Sequence, residues 1–481
     1  MQGTLDEAAV AMEGTVIGAA AEARWQGASL DSRQVTGGEL FFALPGEATD
    51  GHQFVATALD NGAAAAVVSR PVDAEGPLIR VDDSFQALHA LTRAMRQRAP
   101  EQLVAVTGSA GKTTTKELLA AMLAERYRVG RNPGNLNNLY GFPVALLGID
   151  DDCEWMVAEM GMSTPGELGG VSRLGRPEVA VFTNVRPAHL AAFGSLRAIA
   201  EAKAELLEGL APDGLVVANA DDPEVLRIAS RHRGRVVTYG IESPEAEVRA
   251  VDLELMEPVG TRFRLVVGRS SDGVGEGISE GGIEQRIELP LHGRYNVENC
   301  LAAAATALAL GIAPQEIADA VGGLALGADD SGAGRGVVRR LGNGAVVVDD
   351  SYNSNPSALA QALAASVALA GDRHWAVLGE MLELGVEGPR FHREAGAAAV
   401  AAGFDPVFGV GEMARELVSA AAAAGAVTGW WATAVEAASA LPPVRRGDVV
   451  LVKGSRGVAL ERVVEALLED SAEDSVSGGG S

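Results

Sequence analysis

A chain of 481 residues exceeds what one ordinary hydrophobic core supports and points to roughly two to four domains. Apolar residues make up 47% and charged residues 21%, the balance of a globular protein, and no apolar run reaches the roughly 18 residues of a membrane helix. The net charge of −25 argues against a general nucleic-acid or anionic-membrane surface, which clustered Lys and Arg would have to supply, although one loop and one lysine suffice for a nucleotide.

In chain order, residues 1–10 carry Asp6 and Glu7 where a secretory signal would be basic and then apolar, so none is expected. Only Cys153 and Cys300 occur, which leaves no disulfide framework and suits a reducing cytoplasm. Strand-like runs at 39–44 and 64–69 are separated by the turn signals Pro45-Gly46 and Asp60-Asn61-Gly62. An amphipathic Ala-rich stretch predicts a helix over 84–98, stopped by Pro100, and a first boundary there.

A β-to-α switch follows: a buried-strand run at 103–106, a small-residue loop at 107–111 and helical periodicity over 112–126. Apolar strands at 156–158, 179–182 and 215–218 alternate with helix patterns, the mark of an α/β fold with a parallel sheet. From 247 to 291 short alternating strands surround a Gly-rich acidic stretch, 271–282, which reads as an exposed loop. A second Ala-rich helix is expected over 297–310, and a linker over 327–336. Beyond it, 345–348, 375–378 and 449–452 read as strands of another α/β unit, and the polar 471–481 as a disordered tail.

The strongest local chemistry is Gly108-Ser109-Ala110-Gly111-Lys112-Thr113-Thr114, between a strand and a helix. Glycines let backbone N–H groups converge on phosphate oxygens, and the helix N-terminus adds a favourable dipole. Lys112 is placed to bridge β- and γ-phosphates, and the Thr113 hydroxyl to ligate Mg²⁺. The full G-x-x-x-x-G-K-[ST] pattern would need Gly at 106, where this chain has Val106, so a chance Gly-rich turn stands as the bland alternative.

Thr107 to Thr113 matches T-G-x-x-G-K-T, the shortened phosphate loop of the Mur ligases, and the chain resembles that family through most of its length. Asp31-Ser32-Arg33, Gly38 to Leu44 and Asp50-Gly51-His52 resemble its uridine-nucleotide-binding first domain, which assigns Ser32 and Arg33 to substrate. Gly134-Asn135-Leu136-Asn137-Asn138 resembles a loop on the substrate side, with Asn135 and Asn138 as contacts. The resemblance implies ATP and Mg²⁺, with Thr113, Glu159, His189 and a carbamylated Lys203, fourteen residues after His189, as metal ligands. It makes Lys112, Lys203 and His189 catalytic. Apart from the family, Lys203 reads as a solvated helix lysine, His189 as an ordinary histidine and Glu159 as a strand-end carboxylate.

Gly293-Arg294-Tyr295-Asn296-Val297-Glu298-Asn299 is similar to the family's adenine-side motif G-x-H-N-x-x-N. It offers Asn296 and Asn299 to ATP. Tyr295 stands where the family has His, and base stacking and simple packing are both open for it. Arg335, in the expected linker, and Asp350 are further implied nucleotide contacts; Arg335 alone would read as an exposed linker arginine. Asp349-Asp350-Ser351-Tyr352-Asn353-Ser354-Asn355-Pro356 resembles the dipeptide-adding member, and the D-Y-A-H-T-P and D-N-P-R strings of the diamino-acid-adding member are absent. Gly379 to Gly385, His392-Arg393 and Lys453-Gly454-Ser455-Arg456-Gly457 support the same assignment. Tyr352, Asn353, Asn355, Lys453 and Arg456 are then the expected contacts of the incoming dipeptide.

What the resemblance implies is an α/β protein of three domains. Residues 1–98 bind the UDP precursor, 99–326 form a central phosphate-loop ATPase domain, and 327–470 form a Rossmann-like domain for the dipeptide, followed by the tail 471–481. The implied activity is ATP-dependent joining of D-alanyl-D-alanine to a UDP-N-acetylmuramoyl-tripeptide through an acyl phosphate, in peptidoglycan precursor synthesis. The expected protein is a cytoplasmic monomer with small-molecule substrates, without nucleic acid or membrane insertion. Rivals are the diamino-acid-adding sister, a folate polyglutamate ligase and, from another class, a phosphate-loop regulatory ATPase.

Overall fold

Hydrophobic alternation decides the layers of the C-terminal part. In the strands Val346–Asp350, Arg373–Gly379 and Asp448–Lys453, one core receives Val346, Val348, Ala376, Leu378, Val449 and Leu451. Val347, Trp375, Val377, Val450 and Val452 enter the other. Successive side chains of a strand point to opposite faces, so strands apolar at every position must be covered on both. The helices Pro356–Val367, Gly388–Ala401 and Ala414–Ala423 pack into the first core, and Ala434–Ala440 with Glu461–Ser477 into the second.

The six-stranded sheet runs Val337–Arg340, Val346–Asp350, Asp448–Lys453, Arg373–Gly379, Phe404–Val410, Thr428–Trp431; its first pair is antiparallel and the rest parallel. The last strand in sequence inserts between two earlier ones, which sets Asp350 opposite Lys453 at their carboxyl ends. Open α/β sheets bind ligands beyond such ends.

The structure is a computed structural model that describes residues 1–18, 22–46, 49–99, 102–134, 136–187, 190–256, 259–268, 282–324 and 334–477. Two compact units are distinguished. One comprises Met1–Thr107, Leu123–Val181 and Ala202–Val216, and the other Gly108–Met122, Phe182–Glu201 and Val217–Ser481.

The first unit begins with a five-stranded sheet ordered Thr15–Ile17, Leu78–Arg80, Ala65–Val68, Leu40–Phe42, Ala28–Ser29, parallel except for its first pair. The expected helix forms as Ser84–Arg98, where the Asp83 carboxylate caps it by accepting the N–H groups of Phe85 and Gln86 at 2.8 and 3.0 Å. Buried Arg96 on its last turn bonds Glu178 at 3.0 Å, just before the strand Val179–Phe182. That strand precedes Gln102–Thr107, Trp155–Glu159 and Val129–Arg131 in spatial order, and the last three pair in parallel. Leu103, Val104, Ala105 and Val106 are all 0% exposed, as a central strand covered on both faces requires.

The strands Leu215–Asn219, Val236–Gly240, Val248–Leu255, Thr261–Val267 and Ile283–Leu289, in the second unit from Val217 onward, are successive neighbours, the last three antiparallel. The helix expected over 297–310 is Arg294–Ala309, so the 293–299 motif forms its first two turns. Residues 471–477 of the segment expected to be disordered belong to the helix Glu461–Ser477, and 478–481 lie outside the described residues, as do Pro100 and most of 271–282 and 327–336. Strands absent from the sequence reading include Thr15–Ile17, Ala28–Ser29, Leu78–Arg80, Val129–Arg131, Val236–Gly240, Val337–Arg340, Phe404–Val410 and Thr428–Trp431. They are short, or carry Gly and Pro that read as turn signals. No helix among the described residues is long and apolar enough to cross a membrane.

Candidate active site

The loop 108–111 joins the strand Gln102–Thr107 to the helix Lys112–Ala124. Its shape is set by 183–186. Asn184 Oδ1 accepts the Ala110 N–H at 3.0 Å while its Nδ2 donates to the Ala110 carbonyl at 3.1 Å. The Thr183 hydroxyl donates to the same carbonyl at 2.7 Å. Ser109 donates its N–H to the Asn184 carbonyl at 3.0 Å and its hydroxyl to the Arg186 carbonyl at 2.9 Å. The backbone N–H groups of Ser109 and Ala110 are therefore committed to Asn184. Thr183 and Asn184 are functional supports that the sequence reading missed, because nothing local links them to a loop over 70 residues earlier.

Two glycines in this loop are obligatory. Gly108 has φ +154°, and a Cβ on it would lie 1.8 Å from Thr183 Oγ1. Gly111 has φ +82°, with Asn299 Oδ1 2.0 Å from where its Cβ would stand. Both conformations disfavour an L side chain. Gly108→Ala is expected to cut ATP-dependent turnover about 100-fold through loop displacement, the size of effect that a misplacement near 1 Å produces. Steady-state phosphate release checks this, and turnover within twofold of wild type would contradict it.

Lys112 lies over the loop, its Nζ donating to the Gly108 carbonyl at 3.1 Å. Thr113 is 3% exposed at the helix start. Thr114 follows it on the first turn.

Glu159 ends the strand Trp155–Glu159 and is 5% exposed. Asn137 Nδ2 donates to its Oε1 at 2.8 Å, and Asn132 grips its backbone, accepting the N–H at 2.9 Å and donating to the carbonyl at 3.0 Å. Asn137 and Asn132 are orienting residues that the sequence reading did not single out. Lys203, on the helix Leu196–Ala204, is 4% exposed, so the solvated reading is overturned. His189 and Asn135 lie outside the described residues. Asn138 Oδ1 accepts the N–H groups of Tyr140 and Gly141 at 3.1 and 2.8 Å, which makes it a turn-former at the start of the helix Gly141–Leu147. Among the described residues no group of three or more His, Cys, Asp or Glu side chains gathers as a metal site. The Glu159 carboxylate and Thr113 hydroxyl nevertheless are hard oxygen donors of the kind Mg²⁺ takes.

Asn296 and Asn299 are 1% and 5% exposed. Asn296 Nδ2 donates to the His292 carbonyl at 2.9 Å, and Asn299 Nδ2 to Asn296 Oδ1 at 3.4 Å. Asn296 thus supports Asn299, which meets the phosphate loop at Gly111. For Tyr295 the structure favours packing: its hydroxyl lies 2.7 Å from where a Gly336 Cβ would stand. It lines a small cavity with His292, Val338, Val348 and Ala365. Burial raises its phenol pKa.

In the C-terminal part Lys453, 3% exposed, donates from Nζ to Asp350 Oδ2 at 2.6 Å and to the Asn353 carbonyl at 2.9 Å. Burial raises the Asp350 carboxyl above its ordinary value, and the Lys453 ammonium opposes that shift. The Arg335 guanidinium stacks 3.8 Å from the Tyr352 ring centre, with that of Arg456 at 5.6 Å, so Arg335 is no exposed linker arginine. Asn355 Oδ1 accepts the Ala358 N–H at 2.9 Å and caps the helix Pro356–Val367.

Ser32, in the short 3-10 helix Ser32–Gln34 that follows the strand Ala28–Ser29, is 5% exposed, with its carbonyl accepting from Asn61 Nδ2 at 2.9 Å. Arg33, 84% exposed, pairs with Asp31 at 2.6 Å.

A glycine phosphate loop at the carboxyl end of a parallel sheet, in a chain with a second parallel sheet whose carboxyl ends gather Asp350, Lys453, Tyr352 and two arginines, defines a nucleotide-using α/β enzyme. Comparison with known proteins narrows this class. Residues 106–307 match the Mur ligase middle domain, 334–456 the Mur ligase glutamate ligase domain, and 25–127 the Mur ligase family catalytic domain.

The UDP-N-acetylmuramoyl-tripeptide–D-alanyl-D-alanine ligase of Bacillus subtilis (strain 168) is 34% identical over 92% of this chain and 93% of its own. That of Escherichia coli (strain K12) is 34% identical over the same shares, 92% and 93%. A crystal structure of MurF from Acinetobacter baumannii superposes with a TM-score of 0.82 at 29% identity, covering 98% of this chain and 99% of that one. MurF from Thermotoga maritima in complex with ADP gives 0.77 at 28% identity, covering 93% and 98%. The chain belongs to the Mur ligase family, with that family's α/β architecture of N-terminal, middle ATPase and C-terminal domains, and it is an ATP-dependent ligase.

Proposed function

We propose that this ligase joins D-alanyl-D-alanine to UDP-N-acetylmuramoyl-tripeptide in peptidoglycan precursor synthesis. The observation that carries the reading is its likeness, 34% identity over 92% of the chain, to ligases of that name. Residues 1–98 are assigned to the UDP precursor through Ser32 and Arg33, 99–326 to ATP, with Asn135 and Asn138 of its 134–138 loop on the substrate side, and 327–470 to the dipeptide.

The reaction has two steps. The precursor's terminal carboxylate attacks the γ-phosphorus of ATP, forming an acyl phosphate and releasing ADP. The dipeptide amine then attacks the acyl carbon, forming the C–N bond as phosphate leaves and the amine loses a proton. Because Ser109 and Ala110 hold their N–H groups toward Asn184, phosphate recognition is assigned to the amides from Gly111 to Thr114 and to Lys112. Asn299, which packs against Gly111, is assigned to the nucleotide, with Asn296 behind it, and Arg335 and Asp350 are assigned to the nucleotide from the C-terminal side.

Thr113, Glu159, His189 and a carbamylated Lys203 are assigned to Mg²⁺, which when bound neutralises phosphate charge. A buried Lys203 suits carbamylation, since an ammonium has no lone pair for a metal whereas a carbamate offers oxygens and a negative charge. Lys203→Ala is expected to be nearly inactive, with partial rescue by formate or acetate in phosphate-release assays. Near wild-type turnover without added carboxylate would refute the assignment.

The test of the function is whether phosphate release from ATP requires both the UDP-tripeptide and the dipeptide. Hydrolysis that needs neither would instead mark a regulatory ATPase. The protein is further proposed to act as a cytoplasmic monomer, which sedimentation at the mass of one chain would support for the oligomeric state.

A further inference from the structure

One buried titratable side chain of the C-terminal part has no role in the scheme above. His392, on the helix Gly388–Ala401, is 0% exposed. Its Nε2 accepts the Met381 N–H at 3.0 Å, so its proton resides on Nδ1, which donates to the Gly388 carbonyl at 2.7 Å. One neutral imidazole therefore ties both ends of the turn 381–388. Burial lowers its pKa, in keeping with that neutral form.

The turn is attached on two sides. On one, the Leu382 N–H donates to Ser455 Oγ at 3.0 Å and the Ser455 N–H to the Glu380 carbonyl at 3.0 Å, next to Arg456. On the other, the Ala191 N–H donates to the Glu383 carbonyl at 3.3 Å. Gly385 packs so closely there that a Cβ on it would stand 3.1 Å from that of Ala191. Glu383 takes a left-handed φ of +63°, a conformation costly for a non-glycine residue and maintained by its surroundings. Ala191 belongs to the helical turn Leu190–Phe193, immediately after His189 in the chain.

We propose that His392 is a positioning residue for ligation: it sets the turn 381–388 so that the Glu383 carbonyl docks on Ala191, coupling the dipeptide-side residues 453–456 to the segment that carries His189. The kinetic consequence rests on the ligase reading, while the coupling itself does not. Docking through one backbone carbonyl needs the turn held at both ends, and His392 contacts both with side-chain hydrogen bonds.

The test uses the full chain and three variants. H392F keeps the ring volume but leaves the Met381 N–H without its acceptor, H392Q restores an acceptor at similar reach, and A191L pushes on Gly385 from the other side. Cooperative thermal unfolding is confirmed for each. H392F and A191L are expected to lower kcat between about 10- and 100-fold with the KM for the UDP precursor unchanged. H392Q should recover most of the rate, and the H392F/A191L double variant should be no slower than the slower single one, as for two changes acting through one contact.

Independently of activity, hydrogen exchange at 190–193 should quicken in H392F, and exchange at 381–388 should quicken in A191L. Unchanged exchange at 190–193 in H392F, or kinetic effects that multiply in the double variant, overturns the proposal. The wild-type rate in the same assay shows separately whether the ligase reading stands.

Discussion

Lys112→Ala is expected to lower kcat by about 10³-fold or more, because charge accumulates on the transferring phosphoryl oxygens and a fixed ammonium at that point is worth most in the transition state. The lysine sits at the start of the helix Lys112–Ala124, its Nζ 3.1 Å from the Gly108 carbonyl, held by a loop whose shape is imposed by Thr183 and Asn184. Its removal takes away one cation without disturbing those supports, so the fold should persist. The UDP precursor, assigned to residues 1–98, should bind the variant as it binds wild type. Phosphate release gives kcat and calorimetric titration gives precursor affinity. A folded Lys112→Ala protein turning over near the wild-type rate would remove the phosphate-loop assignment altogether.

Amine selectivity is expected to be larger still. A dipeptide brings an ammonium, a peptide bond and a carboxylate, and a site built around their hydrogen bonds rejects analogues that leave its polar groups unpaired, by factors of about 10⁴. The structure sharpens which groups are available. Lys453 is committed to Asp350 and Asn353, and Asn355 Oδ1 to the Ala358 N–H. We propose Arg456, exposed beside Tyr352 and paired with Glu461 at 3.0 Å, as the cation that exchanges this partner for the dipeptide carboxylate, and the side-chain N–H group of Asn353, whose Oδ1 accepts the Ser354 N–H at 2.9 Å, for its peptide bond.

D-Ala-D-Ala should exceed D-Ala, L-Lys and meso-diaminopimelate by about that 10⁴ factor in kcat/KM, read from phosphate release at fixed ATP and UDP-tripeptide. Arg456→Ala should erase much of the preference by raising the KM for the dipeptide. A diamino acid that outperformed the dipeptide would overturn the substrate assignment while leaving the ligase class intact.

Much of this was legible before any coordinates. The strand at 103–106, the helix from Lys112 and the glycines between them are consecutive in the chain, so period and turn chemistry alone reveal them. The same holds for the helix Ser84–Arg98, whose cap is the residue before it. Phe404–Val410 and Thr428–Trp431 escaped because Pro406, Gly409 and Gly429 read as turn formers, while only neighbouring strands supply the pairing that overrides them.

Alone, then, the sequence determines the alternating α/β pattern, the Gly-rich strand-to-helix loop and the family. Local periodicity and ordered motifs are properties of residues close together in the chain. Which side chains hold which was decided by tertiary structure. Asn184 shapes a loop 74 residues upstream, Lys453 reaches Asp350 across 103 residues, and His392 braces a turn that meets Ala191. A hydrogen bond is satisfied by whatever donor or acceptor folding brings within about 3 Å, and separation along the chain carries no record of that proximity.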